Sequence, residues 1–230
     1  MLREKHIIDF FKGMTLPFIL CVIYYMHSID PSFNNIGLWV YAATHGSYGI
    51  FWCLKSYCFG DKNWERPLTL IRFIMLVSGL SGYWVTPLLI AHFRVVNTAP
   101  YLSMCAFIYA FGVFYHFVSD MQKHMSLKFR PGVLIQDGLW NNSRNPNYFG
   151  EFLIYISFAL QAGHWLSFVI FGSVILVEWI PNMWHKDKSL SRYPEFISYC
   201  RRSNIFVPKG VECFGAFYLF VFIWMRQNQQ

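Results

Sequence analysis

Nine consecutive residues, Ser143-Arg144-Asn145-Pro146-Asn147-Tyr148-Phe149-Gly150-Glu151, set a guanidinium, amides, a phenol and a carboxylate at the start of an apolar run. Asn145-Pro146 reads as a helix start, because proline suits the first turn, where its missing N–H is not needed. Glu151 then lies four residues after Asn147 and three after Tyr148, so the three side chains share one helix face. Phe152 to Ile156 continue into an apolar segment. Polar groups in that setting require partners, and a ligand is the reading that follows; a helix-end salt bridge between Glu151 and Arg144 is the plainer alternative.

The elements that must carry this run are membrane helices. The 230 residues are 55% hydrophobic and 20% aromatic but only 13% charged, against about 25% charged in soluble domains. A span needs roughly 17 to 25 apolar residues, and segments near 10–28, 36–55, 68–92, 98–119, 146–162 and 165–184 meet that need. The fold expected is an all-α, polytopic transmembrane bundle of six or seven spans, one membrane domain over 1–230. The seventh would be the short run Phe214 to Met225. Arg3, Lys5 and Lys12, then Lys55, Lys62 and Arg66, then Lys123 through Arg144, then Lys186 through Lys209, all fall on alternate sides of the six spans. Both termini are therefore expected in the cytoplasm. Arg72, inside the third span, is expected to snorkel to the surface. The formal charge of +7 is read as contact with anionic lipid and not with nucleic acid. The six cysteines show no CxxC spacing and read as buried thiols, and no pair of histidines with a carboxylate has metal-ligand spacing, so no metal is expected.

Two cytoplasmic segments flank one pair of helices. The first runs from Ser119-Asp120-Met121-Gln122-Lys123 through Gly138-Leu139-Trp140 into the opening motif. The second runs from His185-Lys186-Asp187 through Tyr193, Tyr199 and Arg202 to Pro208. Cations with interleaved tyrosines suit phosphates and the stacking of a flat ring; a solvated basic face is the plainer reading.

With Ser119-Asp120-Met121-Gln122-Lys123 upstream and Gly138-Leu139-Trp140 before Asn147-Tyr148-Phe149-Gly150-Glu151, the chain resembles the steroid 5-alpha-reductase family, closest to its DUF1295 branch. Tyr193, Tyr199, Arg202 and Pro208 follow the order of that branch's tail, although Asn145 stands where the branch usually carries histidine. The resemblance covers about residues 115–210. It implies an NADPH site between the C-terminal helices, with Asp120, Lys123, Arg144, Asn147, Tyr148, Glu151, Asp187, Tyr193 and Arg202 at the cofactor-binding positions, and residues 1–114 on the substrate side. Their chemistry is compatible: cations for phosphates, Asn147 and Glu151 for carboxamide or ribose hydroxyls, tyrosines for stacking. A Gly-x-Gly-x-x-Gly fingerprint is absent, so the site would not be a Rossmann one.

Such a reductase adds hydride to an enone and needs a donor for its carbonyl. His45, Tyr48, Trp52 and Lys55 form one stripe of the second span beside Gly46 and Gly49, with Tyr48 as donor and His45 orienting it; helix packing through small residues is the alternative. Tyr83 of the third span is a possible match for the family's tyrosine, whereas its glutamate has no clear counterpart. The implied activity is NADPH-dependent reduction of a carbon–carbon double bond in a sterol, polyprenoid or enoyl lipid drawn from the bilayer, in the endoplasmic reticulum membrane if the source is eukaryotic. Two rivals remain. One is an S-adenosylmethionine-dependent membrane methyltransferase of the isoprenylcysteine or phospholipid type, which would carry a Glu-Glu pair where this chain has Glu178 alone; the other is a non-catalytic lipid binder.

Overall fold

A computed structural model describes residues 2–211; the run Phe214 to Met225 and Cys213 lie outside the described residues. Regular structure among them is helical: α1 (Glu4–Gly13), α2 (Thr15–Ile29), α3 (Ile36–Phe59), α4 (Leu70–His92), α5 (Ala99–Phe129), α6 (Pro146–Ala162), α7 (Trp165–Val174), α8 (Ile180–Leu190) and α9 (Phe196–Arg202). The helix starts follow local chemistry. Asn35 accepts from the Leu38 N–H at 2.8 Å to open α3, Thr69 caps α4 through the Arg72 N–H at 3.3 Å, and α6 begins at Pro146. A π-turn over Ile175–Trp179 joins α7 to α8. Pro181 explains it, since proline cannot donate to the Val177 carbonyl one turn back and its ring crowds that carbonyl, so the helix widens just before it.

Among the described residues four segments are long and apolar enough to cross a membrane: Glu4–Ile29, Leu70–His92, Ala99–Phe129 and Trp165–Leu190. The other two expected spans also form helices, but α3 carries a polar and aromatic stripe along its 24 residues and α6 stops at 17. Several expectations change. Arg72 is not left alone in its span: its guanidinium, 37% exposed, forms a fork with the buried Glu4 carboxylate, at 3.0 and 2.9 Å. Of the described cysteines only Cys105 is buried, Cys21 and Cys58 being exposed. Lys12, read as a cytoplasmic charge, is 3% exposed.

The chain forms two compact units, residues 1–106 with 157–170 and residues 107–156 with 171–230. In the first, α1 and α2 pack on α3 and α4. The crossing of α1 and α3 depends on glycine, because a Cβ on Gly49 would lie 2.1 Å from the Lys12 carbonyl oxygen. In the second, Phe171, Trp179 and Met183 form a core on which Tyr148, Phe152, Tyr155 and Phe206 pack. There α5 and α6 cross at Gly150, where a Cβ would lie 2.2 Å from the His116 nitrogen.

Candidate functional site

All nine residues assigned to a cofactor fall in the second unit, and Tyr48, His45 and Tyr83 fall in the first. In the second unit the motif at α6 is held by the chain that follows α9. The Arg144 N–H donates to the Asn204 carbonyl at 2.8 Å, and Asn204 and Lys209 both donate to the Asn142 carbonyl at 3.1 Å. Ser143 donates to the Phe206 carbonyl at 2.7 Å, and the Asn145 amide to the Ile205 carbonyl at 2.8 Å. Tyr199, buried and therefore pushed well above the usual phenol range, stays neutral and donates to the Trp140 carbonyl at 2.6 Å.

Arg144 is engaged within this frame. Its Nε reaches both Asp187 oxygens at 3.1 and 2.9 Å, one terminal nitrogen reaches Asp187 Oδ2 at 2.9 Å, and the other donates to the Ser203 carbonyl at 2.9 Å. That fork clamps the start of α6 to α8 and to the end of α9. The plainer pairing of Arg144 with Glu151 is thus replaced by Asp187, while Glu151 accepts from the Tyr155 hydroxyl at 3.2 Å. Lys186, which the sequence offered only as one basic residue among several, donates to the Arg144 carbonyl at 2.8 Å and to Asn145 Oδ1 at 3.0 Å, with its ammonium 4.2 Å from the centre of the Trp140 ring.

One turn further on, Asn147, Tyr148 and Glu151 lie in the first two turns of α6. Tyr148 and Tyr155 stand beside Trp179, with ring centres 5.6 and 6.0 Å from it. Asn147 offers the position's sharpest chemical signal: its Oδ1 is buried and accepts no hydrogen bond from a described residue. Its backbone carbonyl meets His116 Nδ1 at 3.2 Å, and His116 Nε2 lies 3.9 Å from the buried Asp120. Arg202 pairs with Gln136 and lies over the Tyr199 ring, and Arg192 lies over Tyr193 at 4.9 Å. Lys123 is partly buried on α5, three residues past Asp120.

In the first unit the α3 stripe is buried along one face: His45, Tyr48, Trp52 and Lys55 are each less than 9% exposed. His45 Nδ1 lies 2.8 Å from the Tyr41 hydroxyl, and its Nε2 is buried with no described partner. The Tyr83 ring is 5.4 Å from the imidazole. Lys12, which sequence reasoning missed as a site residue, donates to the Tyr48 hydroxyl at 2.7 Å and sits 3.4 Å from the Trp52 ring centre and 5.4 Å from that of Tyr83. A signal for it was present: Lys12 interrupts the apolar run from Phe10 to Met14 three residues after Asp9. Asp9 accepts from the Trp52 indole at 3.1 Å and from Ser56 at 2.8 Å. Among the described residues no group of three His, Cys, Asp or Glu could hold a metal.

Four segments among the described residues, long and apolar enough to cross a bilayer, are compatible with a multi-helix integral membrane protein. The family whose model matches is described as "Protein of unknown function (DUF1295)", over residues 59–202, and the chain belongs to that family. Neither a curated protein nor a solved structure matches the chain.

Proposed function

We propose that the protein reduces a carbon–carbon double bond of a lipid-like substrate, sterol, polyprenoid or enoyl, using NADPH. The observation that carries this reading is the buried Asn147 Oδ1 without a described donor, on the same face as Tyr148 and Glu151. An acceptor so placed fits the N–H2 of a nicotinamide carboxamide, whose omission leaves a buried polar atom unsatisfied at a cost of about 1–3 kcal/mol. NADPH would supply hydride. Asn147 and Glu151 hold carboxamide or ribose hydroxyls, Tyr148 packs against the ring, and Asp120, Lys123, Tyr193 and Arg202 serve the ribose and phosphates. Arg144 and Asp187 keep their assignment to the cofactor site as the clamp that fixes the start of α6. In the first unit, Tyr48 donates to a substrate oxygen, with His45 and Tyr83 beside it. The proposal extends to six or seven spans, counting α3 and α6, with both termini cytoplasmic if there are six, and to the endoplasmic reticulum membrane if the source is eukaryotic. Its link to the steroid 5-alpha-reductases rests on the motif alone.

The test is thermal stabilisation of detergent-purified protein by NADPH, NADH and S-adenosylmethionine. A ligand at a hundred times its Kd adds about 2.7 kcal/mol, and NADPH is expected to do so in wild type and not in Asn147→Leu or Glu151→Ala. Stabilisation by S-adenosylmethionine alone would replace reduction with methyl transfer, and stabilisation by none of the three would leave a lipid binder.

A further inference from the structure

Lys12 is a cation that the proposed reaction has not yet used. It lies at the end of α1, buried, with its ammonium 2.7 Å from the Tyr48 hydroxyl and 3.4, 4.6 and 5.4 Å from the ring centres of Trp52, Tyr48 and Tyr83. The close approach is built in, because Gly49 lets α3 come within van der Waals reach of the Lys12 carbonyl, where a Cβ would lie 2.1 Å away. An ammonium has only donors, so in this pair the phenol oxygen must accept and its own hydrogen is directed elsewhere. The same ammonium favours negative charge on that oxygen, and it is strongest where the site is dry.

His45 supplies the second half of the geometry. His45 Nδ1 lies 2.8 Å from the Tyr41 hydroxyl, and in the tautomer in which Tyr41 donates to it the ring proton is on Nε2, the buried nitrogen that has no described partner. Neutral imidazole and a phenol backed by a cation are two donors suited to an oxygen that becomes negative. A cation here also opposes a mechanism that begins by protonating an isolated alkene, because the resulting carbocation would face the Lys12 charge.

We infer that Lys12 is a positioning residue for Tyr48: it turns the phenol hydrogen toward a substrate carbonyl oxygen and stabilises the tyrosinate left when that hydrogen is given up. The inference rests on the reductase reading. In the step itself the substrate's beta carbon gains hydride, the Tyr48 O–H bond breaks, and a new O–H bond forms on the carbonyl oxygen to give an enol. The enol then takes a proton from water at its alpha carbon and returns its hydroxyl proton to the tyrosinate, the released hydroxide taking up the proton consumed overall. No oxidant or reductant beyond the hydride donor is required.

Difference infrared spectroscopy of a steroid 4-en-3-one, used as a carbonyl probe on the purified full-length protein without NADPH, tests Lys12 independently of the cofactor. Wild type is expected to lower the probe's carbonyl frequency relative to Tyr48→Phe, and Lys12→Met to return it most of the way. With NADPH present, Lys12→Met is expected to lower kcat for the probe about 10²- to 10³-fold, the size of losing one oxyanion donor, with KM for NADPH unchanged. Added butylamine should restore part of the rate in Lys12→Ala. A wild-type band no different from that of Tyr48→Phe, or a Lys12→Met protein with wild-type band and kcat, would overturn the assignment. Failure of the cofactor reading shows separately, as wild type that NADPH does not stabilise.

Discussion

Arg144 and Lys12 are both cations withdrawn from water, and the two units use them in opposite ways. Arg144 spends its planar fork on the Asp187 carboxylate and a backbone carbonyl, a geometry that fixes three chain segments and suits a rigid clamp. Lys12 is a point charge laid against a phenol and the faces of aromatic rings, so its field falls on a group that can change protonation. The difference teaches that burial of charge is not by itself a sign of chemistry. What the charge points at decides: in the proposed reaction Arg144 is the clamp of the cofactor site, while Lys12 faces the hydroxyl assigned to give up its proton.

The largest effect that sharpens this comparison is expected from Asp187→Ala. It leaves Arg144 buried without its carboxylate, which should cost about 3–5 kcal/mol, read as a fall in thermal unfolding temperature. Lys12→Met should cost less, about 1.5–3 kcal/mol for a lost charge-assisted hydrogen bond; equal losses for the two variants would erase the distinction. Gly150→Ala and Gly49→Ala each force a Cβ to within 2.2 and 2.1 Å of backbone atoms, and overpacking of this kind should cost about 1–3 kcal/mol in each unit. His45→Phe should stay within about 1 kcal/mol of wild type, because it also removes a buried nitrogen without a described partner, yet lose the infrared shift of the carbonyl probe. The smallest effect is at the surface. The Arg130 hydrogen bond holds the Asp137 carboxyl below the usual carboxylate range, so its contribution is fully present above the unfolded value of about 3.9 and fades as pH falls through the folded one. Half-exposed as Asp137 is, with 53% of its side chain open, the loss should be under about 1 kcal/mol, and Arg130→Ala should abolish that pH dependence of the unfolding temperature.

Much of the helical order was legible in the sequence because apolar length and proline chemistry are local. The segment 146–162 matches α6 from its Pro146 start, and the α3 stripe from His45 to Lys55 is buried as one face. What escaped was pairing across long sequence separation. Nothing local says that Arg144 would choose Asp187 over Glu151, that Arg72 would find Glu4, or that Lys12 would turn inward onto Tyr48, 36 positions away. Charge counting placed Lys12 at the membrane surface, since it weighs a lysine's sign and not the partners that α3 and α4 bring to it. The π-turn before Pro181 was also hidden, although the proline that causes it was in view.

The most direct test of the central claim follows the hydride itself. Purified protein would be incubated with NADPH carrying deuterium at the transferable position and with a total membrane lipid extract, and the lipids then analysed by mass spectrometry, with Tyr48→Phe as the control. The account predicts a lipid that has gained one carbon-bound deuterium and lost one double bond, absent from the control. Lipids that carry no deuterium after NADPH has been shown to bind, or a label found equally with Tyr48→Phe, would contradict it.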